Sequence, residues 1–283
     1  MEVKSSMEYG KKGRRLRNPL KIISNLWSYH ELISQFIKRE LIGRYRGSYL
    51  GIFWSFLTPL FMLVVYTFVF SVIFKARWGM GSTSKTEFAL TLFCGLIAFN
   101  LFSEVVGRAP GLILGNVNYV KKVVFPLEIL PLVSLGSSLI HAMISTVILL
   151  VGLIVTTGTF NWTTVFLPVV LLPLLLLSLG LGWFLSSIGV FLRDIGHVIG
   201  IILSALMFLS PIFYPISAIP EQFRAVYYIN PLSYVVEDMR RIIIWGQMPH
   251  WESFLINMVI SIAIALFGYM WFQRTRGGFA DVL

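Results

Sequence analysis

Long apolar stretches separated by short polar segments dominate the pattern of this chain. Four stretches contain no Asp, Glu, Lys or Arg: Leu50–Phe74, Ile129–Leu192, Ile195–Pro220 and Ser253–Gln273. A helix needs about 20 predominantly apolar residues to cross a bilayer. The second stretch is long enough for two crossings, and the polar turn Thr156–Thr164 divides it between them.

A fifth apolar segment, Phe88–Val106, contains Asn100 and Glu104 but has the length of a crossing helix. Together these segments predict an all-α integral membrane protein with six transmembrane helices. The predicted spans lie near residues 50–74, 88–106, 129–156, 165–191, 195–214 and 253–272.

Ahead of the first span, residues 19–46 have apolar residues at helical spacing and charged residues on the opposite face. This pattern predicts an amphipathic helix in the membrane interface, preceded by a flexible basic tail over residues 1–18. Gly43, Gly47 and Gly51 recur every four residues at its end. They indicate either close helix packing or a bend into the first span, and we favour the bend because glycine destabilises a helix interior.

The fifth predicted span ends in three closely spaced prolines, Pro211, Pro215 and Pro220. Each proline removes a backbone donor and clashes with the preceding turn, so a regular helix cannot continue through them. Two short amphipathic stretches follow at 219–229 and 232–244. Because broken backbone at membrane depth needs protein or water partners, we expect re-entrant external helices between spans five and six, at the mouth of a pore.

Composition agrees with a membrane protein. The chain is 57% hydrophobic and 13% charged, with a mean hydropathy of +0.80, whereas a soluble domain carries about 25% charged residues. The single cysteine, Cys94, lies within a predicted span, so no intrachain disulfide can form. The polar and basic N-terminal region leads us to expect no cleavable signal peptide.

Lys and Arg residues fall mainly on one side of the predicted spans. With the N-terminus in the cytoplasm, 17 of the 23 are cytoplasmic, which satisfies the positive-inside rule and places both termini in the cytoplasm. The six remaining residues fall outside: Lys75, Arg77, Lys85, Arg224, Arg240 and Arg241. The net charge of +10 thus reflects topology and attraction to anionic headgroups, and we expect no nucleic-acid partner.

The sequence contains no common catalytic motif. There is no G-x-x-x-x-G-K-[ST] phosphate loop, H-E-x-x-H pair, paired CxxC or G-x-S-x-G. His141 lies inside the third span, where a bond to a neighbouring helix is a more common role than lining a path. Glu104 and Glu128 lie at span ends near basic residues, so local ion pairs or helix-terminus charges are favoured over a proton relay. A membrane-bound transferase or hydrolase and an ion-coupled secondary transporter are both disfavoured.

Aromatic residues cluster on the broken external segment at Phe213, Tyr214, Tyr227 and Tyr228. Aromatic faces bind sugar rings by apolar contact, and a tyrosine hydroxyl adds a hydrogen bond. The same side chains could equally pack the external helices against one another, and the sequence favours neither interpretation.

Five stretches occur in an order typical of one family: RELIGRYRGSYLGIFWSFLTP (39–59), NVNYVKKVVFPLEILPL (116–132), FLRDIGHVI (191–199), SPIFYP (210–215) and NPLSY (230–234). Together they resemble the membrane subunit (permease) of type-2 ABC exporters for lipid-linked polysaccharides, which include O-antigen, capsule and teichoic-acid exporters. The resemblance covers most of residues 38–235, and it implies a permease domain over 47–274 followed by a cytoplasmic tail at 275–283.

The resemblance further implies a homodimer in the bacterial cytoplasmic (inner) membrane, paired with two copies of a cytoplasmic ABC ATPase. No cofactor is expected on this chain, since ATP and Mg would bind the partner ATPase. The cargo would be an undecaprenyl-diphosphate-linked polysaccharide, O-antigen being preferred over capsule polymer and teichoic acid.

Site residues follow from the same resemblance. The segment expected to couple to the ATPase comprises Asn116, Asn118, Tyr119, Val120, Lys121 and Lys122. Entry of the lipid diphosphate is expected near Arg44 and Arg46. The channel exit is expected at Phe213, Tyr214, Tyr227, Tyr228, Asn230 and Pro231.

Overall fold

The computed structural model describes residues 27–69, 85–121 and 125–283, and every regular element in these ranges is a helix. The helices are α1 (His30–Arg44), α2 (Trp54–Tyr66), α3 (Lys85–Arg108), α4 (Val117–Lys121), α5 (Leu130–Thr157), α6 (Leu167–Phe191), α7 (Ile195–Phe208), α8 (Arg224–Ile229), α9 (Pro231–Ile243), α10 (Trp251–Thr275) and α11 (Phe279–Val282). The all-α prediction is confirmed for these ranges. The predicted tail of residues 1–18, residues 19–26 of the interface helix and residues 70–74 of the first span lie outside the described residues.

Five segments of the described chain are long and apolar enough to cross a bilayer: Gly51–Val69, Thr86–Gly111, Ile129–Thr157, Trp162–Phe191 and Trp251–Val282. The fifth predicted span is shorter, because α7 has 14 residues. A helix of that length extends about 21 Å, less than the hydrocarbon thickness of about 30 Å. Six complete spans remain a prediction, whereas the expected break is present, since α7 ends at Phe208 before Pro211.

The helix bundle has two chemically different ends. One end, here called the basic end, holds Arg44, Arg108 and Arg276 together with α4 and α11. The opposite end, here called the proline end, holds residues 210–250 with α8 and α9. The long helices run between these two ends.

Helix α3 is the most enclosed helix of the bundle, with most side chains from Phe88 to Val106 buried. It packs against α5, α6, α7 and α9. Its sequence is less uniformly apolar than the other spans, yet its position at the centre excludes lipid from nearly every face. Asn100 is an exposed exception in this segment.

Helices α6 and α10 approach each other closely enough for their backbones to touch. A Cβ atom at Gly268 would lie 2.0 Å from the carbonyl oxygen of Gly180, and a Cβ at Gly180 would lie 2.7 Å from the backbone of Ala265. Small residues permit this contact, and close packing of this kind stabilises helix pairs where lipid supplies no hydrophobic driving force.

A bend joins α1 to the first span, as predicted. Gly47 and Gly51 have φ angles of 86° and 53°, a region that residues with a Cβ rarely adopt. A Cβ at Gly43, Gly47 or Gly51 would meet no atom within 4 Å. Gly47 and Gly51 therefore serve the turn, and none of the three glycines serves helix packing within the described chain.

The predicted cytoplasmic tail folds onto the basic end. Phe279 in α11 is completely buried, with its ring centroid 5.5 Å from that of Phe272 and 6.0 Å from that of Phe191. This contact holds the end of the chain beneath α6 and α10.

Several helices leave apolar faces uncovered within the single chain, and α2 and α7 have the fewest buried residues among the helices of the predicted spans. Helix α2 exposes Phe56, Leu60, Phe61, Met62, Val64 and Val65, and α7 exposes Val198, Ile201, Ile202 and Phe208. Helices α5 and α10 also expose apolar side chains. Lipid can cover such faces, and so can a second copy of the chain.

Replacing Gly268 by alanine should separate α6 from α10, since the new methyl group would overlap the Gly180 carbonyl. We expect Gly268→Ala to lower the free energy of unfolding by about 1–3 kcal/mol, the usual cost of overpacking. Thermal unfolding in a lipid nanodisc measures the effect, with Gly43→Ala as a control that has open space around the new methyl group. Equal stability of both variants would show that the two backbones are not in contact.

Candidate functional site

The short helix α4 lies at the basic end, in contact with α11. Asn116 precedes it and donates a hydrogen bond from Nδ2 to the carbonyl oxygen of Leu112 at 2.8 Å. Asn118 and Lys121 have exposed side chains, and the Lys121 ammonium donates to the carbonyl oxygen of Leu283. Val120 is half-buried and packs against the aromatic and aliphatic side chains around α11. Lys122, the last residue of the predicted coupling segment, lies outside the described residues.

An aromatic cluster joins α4 to the interface helix α1. The ring of Tyr119 stacks on Phe125 with centroids 4.6 Å apart, and Phe36 lies 5.7 Å from Tyr119 and 5.3 Å from Phe125. Arg39 of α1 donates from Nη1 to the Tyr119 hydroxyl at 2.9 Å, and its guanidinium lies 5.3 Å from the Phe36 ring centroid. A displacement of α4 would therefore act directly on α1.

Four charged side chains form an ion-pair cluster between α1 and the basic end of α3. Arg44 pairs with Glu104 and, at 3.1 Å, with Glu40. Arg108 pairs with Glu40 and, at 3.7 Å, with Glu104. The prediction of a local ion pair at Glu104 is confirmed, and the cluster of two arginines and two glutamates carries no net charge.

The two arginines predicted at the entry site differ in their surroundings. Arg44 is occupied by two carboxylates, which reduces its attraction for a further anion. Arg46 follows the end of α1, is exposed, and makes no ion pair with any residue in the described ranges. Its location and charge suit an anionic headgroup.

A cavity of 260 Å³ lies beside Arg44, among α2, α3 and α5. Its polar lining includes Asn100, Ser138 and His141. Nε2 of His141 and Oγ of Ser138 are buried without a hydrogen-bond partner in the described chain, so the expected bond from this His141 nitrogen to a neighbouring helix is not formed. The Tyr45 ring meets His141 edge-on at 6.1 Å, and burial raises the pKa of the Tyr45 phenol.

Glu128 also forms a local ion pair, although its partner is far away in the sequence. The carboxylate is 3% exposed and accepts a hydrogen bond from Nη1 of Arg276 at 2.8 Å. The Glu128 carbonyl oxygen accepts from Nε1 of Trp183 at 2.9 Å. These contacts join the start of α5 to α6 and to the end of α10, a long-range pairing that no local pattern could reveal.

At the proline end, α9 is capped by Asn230. Its Oδ1 accepts from the backbone N–H of Leu232 at 3.0 Å, and its Nδ2 donates to Oγ of Ser210 at 2.9 Å. Pro231 occupies the first turn of α9, where a missing N–H costs nothing. The predicted exit residues Asn230 and Pro231 therefore have structural roles in fixing α9.

The four external aromatic residues divide into packed and exposed side chains. The hydroxyls of Tyr214 and Tyr227 are 2.5 Å apart, and Tyr227 is buried at 8% exposure. Phe213 stacks on Phe208 with centroids 5.7 Å apart. Tyr228 is 53% exposed. Sugar contact is consequently open to Tyr228 without rearrangement, whereas Tyr227 would first have to leave its packed position.

A carboxylate ties α9 to the start of α10. Asp238 is almost completely buried, and its Oδ1 accepts from the backbone N–H of His250 at 2.9 Å. Burial raises the pKa of the Asp238 carboxyl, while the His250 N–H acts in the opposite direction.

Sequence inspection missed several residues that organise both ends. Phe36 and Arg39 belonged only to the amphipathic pattern of α1, and Arg240 was counted only as an external charge. Arg240 is completely buried in the structure. The buried face of α9 offers the only hint, because an arginine aligned with apolar residues in a helix requires a specific partner.

Comparison with known proteins gives a consistent result. The model of the ABC-2 type transporter family matches residues 31–244. An O-antigen export system permease protein RfbA from Myxococcus xanthus is 28% identical, the match covering 93% of this chain and 99% of that protein. A protein of the same name from Klebsiella pneumoniae is 23% identical with the same coverage. The polysialic acid transport protein KpsM of Escherichia coli is 29% identical over 84% of this chain and 90% of its own length.

The ion-pair cluster predicts measurable coupling between Arg44 and Glu104. We expect Arg44→Gln and Glu104→Gln each to destabilise the protein, and the double variant to lose less than the sum by about 0.5–1 kcal/mol, typical of partly exposed pairs. Thermal unfolding of the four proteins measures this difference.

The matched control is the ion pair between Arg224 and Glu221, in which Nη1 and Oε1 are 3.5 Å apart. The Glu221 side chain is 89% exposed. Its double-variant cycle should show no measurable coupling. Additive losses of unfolding free energy for Arg44→Gln and Glu104→Gln would contradict a stabilising ion pair between α1 and α3.

Proposed function

Because this chain belongs to the ABC-2 type transporter family, we propose that it forms the channel of an ATP-driven exporter for an undecaprenyl-diphosphate-linked polysaccharide. It is a multi-pass protein of the bacterial inner membrane and a transport permease subunit. The observation that carries the proposal is the family match over residues 31–244, which includes α4, nearly all of α1 and the proline end up to residue 244.

The preferred cargo is O-antigen. Two relatives that align with almost their full length are named O-antigen export permeases. A capsule polymer is the second candidate, since a relative of similar identity is named a polysialic acid transport protein. Teichoic acid is a third possibility within the same transport class.

Two copies of the chain would enclose the transport path. The apolar faces that α2 and α7 leave uncovered support this arrangement, because each helix packs on the core by one side only. With the basic end in the cytoplasm, these faces would meet the second copy and the polymer would pass between the subunits.

The partner ATPase would dock at the basic end. Asn118 and Lys121 are exposed on α4, and Tyr119 connects α4 to Arg39 and Phe36 of α1. When the ATPase closes on ATP, it would push α4 and α1 as one unit. The glycine bend at residues 47–51 would then transmit the displacement to the first span.

Cargo would enter where the interface helix meets the first span. The diphosphate would bind near Arg46, with Arg44 holding α1 against α3 through Glu104. The glycan would leave at the proline end past Tyr228, with the Tyr214–Tyr227 pair closing the exit at rest.

Replacing residues 116–122 by a Gly/Ser linker should abolish polymer export while leaving membrane insertion intact. The linker removes the surface that the ATPase pushes and the ring that contacts α1. Surface display of the polymer in cells lacking the native permease measures export, and we expect it to fall to the level of cells without a permease.

Tyr119→Phe is the matched control. It keeps the stack on Phe125 and loses only the Arg39 bond, so export should remain well above that of the linker variant. Normal export by the linker variant would exclude the coupling role of this segment.

A further inference from the structure

The chain between α7 and α8 places backbone carbonyls in an apolar environment without helical partners. Helix α7 ends at Phe208, and Pro211 and Ile212 that follow are buried and lie outside any helix. A buried carbonyl without a hydrogen bond costs about 1–3 kcal/mol, and in a membrane protein the partner must come from protein or from an enclosed water.

Arg240 of α9 supplies these partners. Its Nη1 donates to the carbonyl oxygen of Pro211 at 2.5 Å and its Nη2 to that of Ile212 at 2.8 Å. Its Nε donates to the carbonyl oxygen of Thr91 in α3 at 3.0 Å. One planar guanidinium thereby links three elements: α9, the broken segment after α7, and the central helix α3. These contacts are called the Arg240 bridge below.

The central helix is shaped to admit this side chain. A Cβ atom at Gly95 would lie 2.7 Å from Nη2 of Arg240 and 3.2 Å from Val236. The absence of a side chain at Gly95 therefore gives the guanidinium access to the backbone of α3. Arg240 is 0% exposed, and the nearest acidic group is the Glu237 carboxylate at 3.7 Å.

The guanidinium is charged under ordinary conditions. Burial lowers the pKa of Arg240 to about 10, with Glu237 acting in the opposite direction. Hydrogen bonds from a charged donor are roughly twice as strong as neutral ones. The bridge is accordingly much stronger than the single Asn230–Ser210 bond that joins α9 to the same segment.

The segment that the bridge holds carries the aromatic residues of the exit. Phe213 and Tyr214 follow Ile212 directly, and the Tyr214 hydroxyl meets that of Tyr227 in α8. The Tyr214 hydroxyl also donates to the carbonyl oxygen of Phe208 at the end of α7. The backbone of this segment is held by Arg240, which itself is buried and cannot touch the polymer.

We propose that Arg240 is the positioning residue of the exit, fixing residues 211–214 against α3 so that the Tyr214–Tyr227 pair closes the path. That this segment closes an exit rests on the proposed export function. The hydrogen bonds of the Arg240 bridge do not depend on any cargo. Loss of the bridge would leave the exit loosely placed, so that ATP hydrolysis continues without efficient polymer export.

The single cysteine provides a native reporter of the bridge. Cys94 is completely buried in α3, one residue from Gly95 and three from Thr91. Loosening of α9 from α3 should expose its thiol. N-ethylmaleimide labelling of the purified protein in nanodiscs measures this exposure, and it requires neither a glycan nor an ATPase.

The test compares Arg240→Met with Arg241→Met, which alters the neighbouring residue and removes only one bond to the Met248 carbonyl oxygen. For Arg240→Met we expect at least about tenfold faster Cys94 labelling, with export reduced by a similar factor and ATP hydrolysis by the assembled transporter retained. Arg241→Met should label and export as the original protein does. Arg240→Lys, which keeps the charge but lacks the forked donors, should lie between them.

Gly95→Ala keeps the arginine but pushes the guanidinium away from α3, and it should also accelerate labelling. Unchanged Cys94 labelling in both Arg240→Met and Gly95→Ala would overturn the proposal, as would unchanged export in an Arg240→Met protein that labels rapidly. If the proposed export function is wrong, the result is different. The original protein would export no glycan, whereas Arg240→Met would still accelerate the labelling of Cys94.

Discussion

The need to satisfy backbone carbonyls beyond the end of α7 constrains the whole proline end of this protein. Prolines prevent the helix from continuing, and an apolar setting leaves no free water to bind the exposed backbone. Arg240 donates hydrogen bonds to the carbonyl oxygens of Pro211 and Ile212 and so satisfies them. For that to be possible, α9 must lie against α3 and position 95 must lack a side chain.

Helix α3 is the common support for both ends of the molecule. At the basic end, Glu104 and Arg108 bind α1, and at the proline end the backbone of Thr91 binds Arg240. Helices α2 and α7 have fewer enclosed side chains and expose apolar faces. In the proposed transport mechanism, α3 would form the rigid centre and α2 and α7 the moving parts.

Much of the fold could be predicted from the sequence because apolar length and proline position act locally. The bend at Gly47 and Gly51 and the end of α7 before Pro211 both follow from backbone sterics. The candidate site was harder to predict from the sequence. Glu128 pairs with Arg276, and Arg240 donates to carbonyl oxygens far away in the chain. Such long-range partners depend on tertiary packing that no single local pattern specifies.

ATP-dependent movement of a lipid-linked glycan in inverted membrane vesicles is the most direct test of the account. The vesicles would contain this permease and its partner ATPase, with the glycan presented on the outside. An ATP-driven exporter should move the glycan into the vesicle lumen, where an added glycan-degrading enzyme cannot reach it, and collapsing the ion gradients should have no effect. Glycan movement that needs an ion gradient and no ATP would contradict the account.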